Sequence, residues 1–187
     1  MLTSKIEVLL LDNTSLVSNS WLAGFSEGDS SFQIRLTKPN ENRKGKGKNY
    51  NRLAITFELN QSRTDITLFK KYEGIMQIIA EFLLANLSIV NLSTYDRLGT
   101  QPTWRARNTS LAGALVLVNY FNQFPLFSSK HLDFLAWNET YFLIKNKQHF
   151  IKNGVEGLNK IENLKNSMNN KRVDFNWDHL NNFYTRD

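Results

Sequence analysis

Along residues 31–36 apolar and polar side chains alternate, with Phe32, Ile34 and Leu36 set against Ser31, Gln33 and Arg35. That period of two belongs to a strand with one buried and one wet face. Residues 52–61 alternate again, and the stretch 39–51 between them is rich in Lys, Gly and Asn. The two runs therefore form a β-hairpin with a long basic tip. On either side the period changes. Ser18, Asn19 and Ser20 can cap a helix that runs through Trp21, Leu22, Ala23, Gly24 and Phe25 and stops near Gly28. A second helix starts at Thr64 and Asp65 and carries Leu68, Tyr72, Ile75, Ile78, Ile79 and Phe82 at three- and four-residue spacing. Residues 86–95 and 103–108 are β-like, joined by turn residues Asp96, Arg97, Leu98 and Gly99. Residues 111–124 form an apolar helix ended by Pro125; Ser128 or Ser129 caps another to about Lys147, and 154–168 supports one more. The order α-ββ-α-ββ-α, followed by two more helices, predicts an α+β fold with helices on one face of a four-stranded antiparallel sheet. The other face carries Gln33, Arg35 and Thr37 into solvent or a ligand.

Composition narrows the chemistry. The chain has 187 residues and no cysteine. It fits one domain over residues 15–187 behind an extension of 1–14, and it excludes disulfide scaffolds, thiol catalysis and Cys-ligated metal sites. No apolar run approaches the roughly 20 residues of a membrane span, and no membrane partner is expected. A single Lys5 with no Arg-rich presequence predicts no cleavable leader. Net charge is +6. Between residues 33 and 63 lie Arg35, Lys38, Arg43, Lys44, Lys46, Lys48, Arg52 and Arg63 against Glu41 and Glu58 alone, so this one segment carries an excess equal to that of the whole chain. A polyanion is its natural partner, with a solvated loop as the alternative.

One place argues against itself locally. Glu27 and Asp29 sit at the C-terminal end of the first helix, where the macrodipole is negative and carboxylates are disfavoured, so something must compensate. Gly24 and Gly28 are four apart and leave one helix face nearly bare, open to close approach by a second helix. If that helix is a copy of this one, two Asp29 carboxylates converge as hard oxygen ligands for Mg²⁺ or another divalent cation of the kind that drives phosphodiester hydrolysis. An ordinary polar turn between helix and strand is the other reading of Glu-Gly-Asp.

The run Trp21-Leu22-Ala23-Gly24-Phe25-Ser26-Glu27-Gly28-Asp29-Ser30-Ser31-Phe32 resembles the signature of the LAGLIDADG homing endonucleases and intron maturases, and the α-ββ-α-ββ-α order matches their half-domain. Residues 124–135 and 144–149, the Lys-Asn-Ser-Met-Asn stretch around Met168, and the closing Phe175-Asn176-Trp177-Asp178-His179-Leu180 resemble the later part of the organellar branch and of two-motif members. The likeness covers about residues 15–184.

The resemblance implies roles. Asp29 takes the place of the metal-binding carboxylate and the Gly28 carbonyl that of a supporting ligand, while Glu27 serves the helix end. Gln61 matches the polar residue that positions water, and Lys130 the basic residue near the scissile phosphate; without the likeness Lys130 is a helix-start lysine facing water. Gln33, Arg35, Lys38, Lys44, Lys46, Lys48, Arg52, Glu58, Arg63, Arg105 and Arg107 are available for base or phosphate contacts on the sheet's wet face. Gly24 and Gly28 are the helix-interface glycines, and a single motif implies a homodimer or a second LAGLIDADG subunit. Two positions depart from the pattern. Ser30 replaces a glycine and would strain the turn if that position needs φ > 0, and Ser26 puts a hydroxyl in or beside the helix interface. The implied function is a site-specific, divalent-metal-dependent endonuclease acting as a dimer on duplex DNA. The alternative is a non-catalytic RNA-binding protein, either a maturase or a structural part of a ribonucleoprotein, with intron or ribosomal RNA as partner. An Asn-, Lys- and Ile-rich chain also fits an AT-rich organellar gene, which makes mitochondria the expected compartment by association.

Overall fold

Alternating strand patterns and well-signalled helix ends build the architecture. In the computed structural model of the chain, the structure describes residues 14–37, 52–62, 66–90, 102–150 and 155–182. Helix α1 (Trp21–Asp29) leads directly into β1 (Ser30–Thr37), which pairs antiparallel with β2 (Arg52–Ser62). Helix α2 (Ile66–Phe82) leads to β3 (Asn86–Val90) and β4 (Thr103–Asn108), then α3 (Leu111–Gln123), α4 (Ser129–Lys145) and α5 (Val155–Asn166). The sheet order is β1-β2-β4-β3, every pair antiparallel, so β1 is an edge strand and β2 lies inside.

Period two decides which face is dry. Phe32, Ile34, Ile55, Phe57, Leu59, Trp104 and Ala106 are buried, while Arg35 is exposed and Gln33, Arg105 and Arg107 are half-buried. Phe32 is the hub of the aromatic core, with ring centroids 5.1 Å from Phe57, 5.7 Å from Phe121, 5.8 Å from Phe134 and 5.6 Å from Trp137. These inclined contacts join the sheet to α3 and α4 with the offset geometry that aromatic quadrupoles prefer.

Beyond α5 the chain returns to the sheet. A 3-10 turn, Asn169–Lys171, lies against the β1 edge, where the Asn169 carboxamide donates to the Phe32 carbonyl at 3.2 Å. Buried Asp133 on α4 accepts from the Asn169 amide at 2.9 Å and from Arg172 Nη2 at 2.6 Å. A second 3-10 turn, Asp178–Asn182, brings His179 onto His131 of α4, ring centroids 4.1 Å apart. No helix is long and apolar enough to cross a membrane among the described residues.

The expected element order is the observed one. Ends differ by a residue or two: α1 continues to Asp29 and β1 starts immediately after it. The expected cap of α1 is divided. Ser20 makes no side-chain bond, whereas Asn19 Oδ1 accepts from the Trp21 amide at 3.0 Å. The basic hairpin tip with Lys38, Lys44, Lys46 and Lys48, the Arg63 position, and the turn expected at 96–99 lie outside the described residues.

Candidate functional site

Helix α1 divides its nine residues between two environments. Leu22, Ala23 and Ser26 are buried in the chain's own core, while Trp21, Gly24 and Gly28 are exposed and Phe25 is half-buried. The exposed positions follow i, i+3, i+4 and i+7, a continuous stripe along the helix. Trp21 and Phe25 stack on it at 5.0 Å, and a Cβ added at Gly24 or Gly28 would meet nothing within 4 Å. The stripe is apolar, flat and unfilled by the described part of the chain.

Each end of α1 is fastened from a distance. At the start, the Tyr120 hydroxyl on α3 accepts from the Ala23 amide at 3.1 Å and donates to the Asn19 carbonyl at 3.0 Å. Burial raises the pKa of this phenol above its ordinary value, against the bonds from the Ala23 and Leu22 backbone. At the far end, Lys130 Nζ donates to the Ser26 carbonyl at 2.9 Å and to the Glu27 carbonyl at 2.7 Å. A cation here offsets the negative end of the helix. Reciprocally, the Glu27 carboxylate accepts from the Phe127 amide, the Ser128 amide and the Ser128 hydroxyl, closing the N-terminus of α4. The compensation required at this acidic helix end is thus an exchange: α4 lends a cation to the carbonyls of α1, and α1 lends a carboxylate to the amides of Phe127 and Ser128 that lead into α4.

Lys130 is neither a water-facing lysine nor freely extended. Burial lowers its pKa, and the charges of Glu27, Asp29 and Asp133 push it back up. Beside it, burial first and the adjacent His179 second hold the His131 imidazole at about 4, against the opposing pull of Glu27.

Asp29 is exposed and makes no hydrogen bond or ion pair with another described residue. Gln61 lies two residues beyond Leu59, the partner of Ser30, which puts it by the turn where α1 becomes β1. In register it opposes Trp104, so it faces the helical layer, and its Oε1 is buried with no donor among the described residues. Lys130 bonds the carbonyls of Ser26 and Glu27, not that of Gly28. One carboxylate, the Gly28 carbonyl and an amide oxygen form a hard-oxygen set suited to Mg²⁺ or Ca²⁺ rather than to a soft metal, and one chain supplies too few ligands for a complete shell. No group of three metal-ligating side chains occurs among the described residues.

Both departures in the motif turn out otherwise than expected. Ser30 has φ −108° and ψ 163°, ordinary extended backbone with no need for glycine, and its hydroxyl donates to the Ser26 carbonyl at 2.7 Å. Ser26 is fully buried on the inner side of α1, away from the Gly24 and Gly28 stripe, and its hydroxyl has no partner among the described residues. The Gly24 and Gly28 stripe therefore carries no hydroxyl from Ser26.

On the sheet's wet face, Gln33 opposes Thr56, Arg35 opposes Ala54, and Arg105 opposes Asn60. Glu58 pairs with Arg107, Oε1 to Nε at 2.9 Å, so it orients a neighbouring guanidinium instead of standing free. Arg105 Nε is buried and finds no protein acceptor among the described residues. Arg52, at the hairpin end of β2, is exposed. Reading the sequence missed Tyr120, Asp133 and the stacked pair His131 and His179. Their partners lie from 36 to 101 residues away, beyond the reach of local periodicity.

Comparison with known proteins places this arrangement. The sequence model described as LAGLIDADG endonuclease matches residues 22–141, well over half of the chain. The chain is 32% identical over 186 residues to the intron-encoded DNA endonuclease aI3 of Saccharomyces cerevisiae, covering 96% of this chain and 44% of that protein. It likewise spans 44% of an uncharacterized cox1 intron-2 protein of Schizosaccharomyces pombe, so it is about half the length of the curated relatives that it matches. Its fold is that of the I-LtrWI LAGLIDADG homing endonuclease bound to target DNA, with TM-score 0.63 and 23% identity over 92% of this chain and 50% of that one. The homing endonuclease I-TnaI superposes with TM-score 0.58 at 19% identity, over 87% of this chain and 92% of that one. With the motif, the element order and the matched span in agreement, the chain belongs to the LAGLIDADG endonuclease family.

Proposed function

We propose that this chain is one half of a site-specific, divalent-metal-dependent DNA endonuclease, completed by a second LAGLIDADG unit against the outer face of α1. The observation that carries the reading is the conjunction at one helix: a bare apolar stripe ending in an exposed, unpaired carboxylate beside a basic sheet face. The names of the yeast relative and of the DNA-bound neighbour support DNA as the substrate.

In this reading the second unit seats on Trp21, Gly24, Phe25 and Gly28, which brings its acid towards Asp29. Asp29 and the Gly28 carbonyl would hold a cation shared with the partner; a divalent ion so held activates water and offsets charge on the leaving oxygen. Gln61 Oε1, buried and without a donor among the described residues, is available to hold a water in place. Lys130 keeps the helix end electrostatically tolerable, and its charge lies beside the acid. Arg35, Arg105, Arg107 and Gln33 present donors to the major groove and the backbone, with the tip carrying Lys44, Lys46 and Lys48 as a further basic element. The relatives' intron-encoded origin supports an organellar, mitochondrial setting.

The test is incubation of a large randomised duplex library with the chain and Mg²⁺, followed by sequencing of the new ends, with Asp29→Asn alongside. Recurrent ends that depend on both Mg²⁺ and Asp29 are expected. Their absence, combined with tight binding to an intron or ribosomal RNA, would transfer the assignment to an RNA scaffold.

A further inference from the structure

The sheet's wet face ends at β1, an edge strand, yet the structure continues it. The turn Asn169–Lys171 lies alongside that edge, and its placement is over-determined. Asp133 accepts from both the Asn169 amide and Arg172, and the Asn169 carboxamide reaches the Phe32 carbonyl. The side chains of Asp133 and Arg172 are only 8% and 10% exposed, so the pair is an internal fastening rather than a surface contact. Asn169 also takes φ 52°, a left-handed conformation that asparagine tolerates better than most residues but still adopts at some cost. A surface turn with no task has little need of such a clamp.

The clamp opens a cleft of about 240 Å³ between the turn and the sheet, lined by Gln33 and Ile34 from β1, Lys165 and Met168, and Asn169, Asn170 and Lys171. Two cations and three carboxamides converge there with no acid in the lining. The cations of the cleft are Lys165 and Lys171, and among the described residues the Lys171 ammonium donates to the Asn166 carboxamide alone, at 3.0 Å. Lysine ammonium groups and amide N–H donors are what phosphate oxygens accept from, whereas bases are read mostly by more rigid forks. Through Gln33 the cleft is continuous with the face that carries Arg35.

We propose that this cleft is a contact site for the sugar–phosphate backbone of duplex DNA flanking the segment read by the sheet, with Lys165 and Lys171 on phosphates and Asn169 and Asn170 as amide donors; it rests on the nucleic-acid reading above. It assigns a role to the Lys-Asn-Ser-Met-Asn stretch, which the endonuclease reading leaves unused.

The experiment is fluorescence anisotropy of the full chain with a labelled 30-base-pair duplex DNA across a salt series. It compares the parent, Lys165→Gln with Lys171→Gln, Asn170→Asp, and Arg35→Gln with Arg105→Gln. Each phosphate contact adds about 0.9 to the slope of log K against log salt, so losing both lysines should flatten that slope by about 2 and lower affinity by about fiftyfold near 0.1 M salt. Asn170→Asp should weaken binding several-fold, by placing a carboxylate in the same cleft. Both surface variants should melt within a degree or so of the parent. If the arginine pair flattens the slope while the lysine pair and Asn170→Asp leave it unchanged, the cleft site is wrong and the sheet reading stands. If the parent binds no duplex DNA, both fall. If it binds only an RNA duplex of the same length, the assignment to DNA is overturned.

Discussion

The inner and outer stripes of α1 are built from the same nine residues and meet opposite fates. Inside, Leu22, Ala23 and Ser26 are buried against the chain's own core, and Tyr120 and Lys130 fasten the two ends. Outside, Gly24 and Gly28 meet nothing within 4 Å among the described residues, Trp21 is exposed and stacked on Phe25, and Phe25 is only partly covered by the core. Incompleteness is therefore a property of one face, while the helix itself is fully specified by its own chain. Changes on the two stripes should then separate cleanly: the inner one governs folding, the outer one assembly, and the acid at the end governs chemistry alone.

The largest expected effect is at that end. Asp29→Asn should reduce Mg²⁺-dependent cleavage at least about a thousandfold while DNA affinity stays within about tenfold, because the carboxylate serves the transition state more than the ground state. Single-turnover cleavage and anisotropy on the same preparation measure the two. Equal losses in both would place Asp29 in binding.

Gly24→Leu is expected to break assembly without harming the fold. Its Cβ enters open space within the chain, and removing a mid-helix glycine contributes about 0.5–1 kcal/mol to stability. Sedimentation should show a lighter species and thermal denaturation an equal or higher Tm. A lower Tm would mean that the outer stripe serves the chain's own fold.

Lys130→Met should slow cleavage by about a hundredfold and, with Glu27→Gln, remove about 1–2 kcal/mol of stability each through lost helix-end bonds. Comparing the two tells chemistry from scaffolding. If Glu27→Gln slows cleavage as much as Lys130→Met at a temperature where both are folded, the lysine acts by positioning the helix end.

Two smaller effects concern the packing behind that end. The folded-state pKa of His131, about 4, lies below its ordinary 6.5, so the unfolded chain takes up the proton first as pH falls. Stability should decline between about pH 6.5 and 4 and level off below, by about 1–2 kcal/mol after allowance for partial exposure. His131→Phe should keep the stack on His179 and flatten that window in denaturant melts. Ser26→Ala should leave stability unchanged or raise it by about 1 kcal/mol, since the hydroxyl is buried without a partner among the described residues. A clear loss would reveal a hidden acceptor on the inner stripe.

The order of elements was legible because its signals are local: alternation in β1 and β2, Pro125 after α3, Ser128 before α4. The acid at the end of α1 was legible too, since Glu27 and Asp29 conflict with the helix dipole. How the conflict is resolved was not, because Lys130 is a hundred residues downstream and no local window joins it to Ser26 and Glu27. Ser30 was misread for a related reason. Whether a position requires glycine depends on its φ, and only the direct passage from helix to strand shows that −108° suffices. Asp133, set between Leu132 and Phe134 on α4, could have been flagged as a buried acid in need of a cation, but not matched with Arg172.

Tyr120 towards one end of α1 and Lys130 towards the other act as two bearings on a helix about 13 Å long, from nine residues at 1.5 Å each. A shaft held at both ends neither rolls nor slides without shearing bonds at each. The acid at its tip therefore inherits the stiffness of α3 and α4, and its position tolerates remodelling of the outer stripe. A substitution on the outer stripe should then leave the carboxylate where it is.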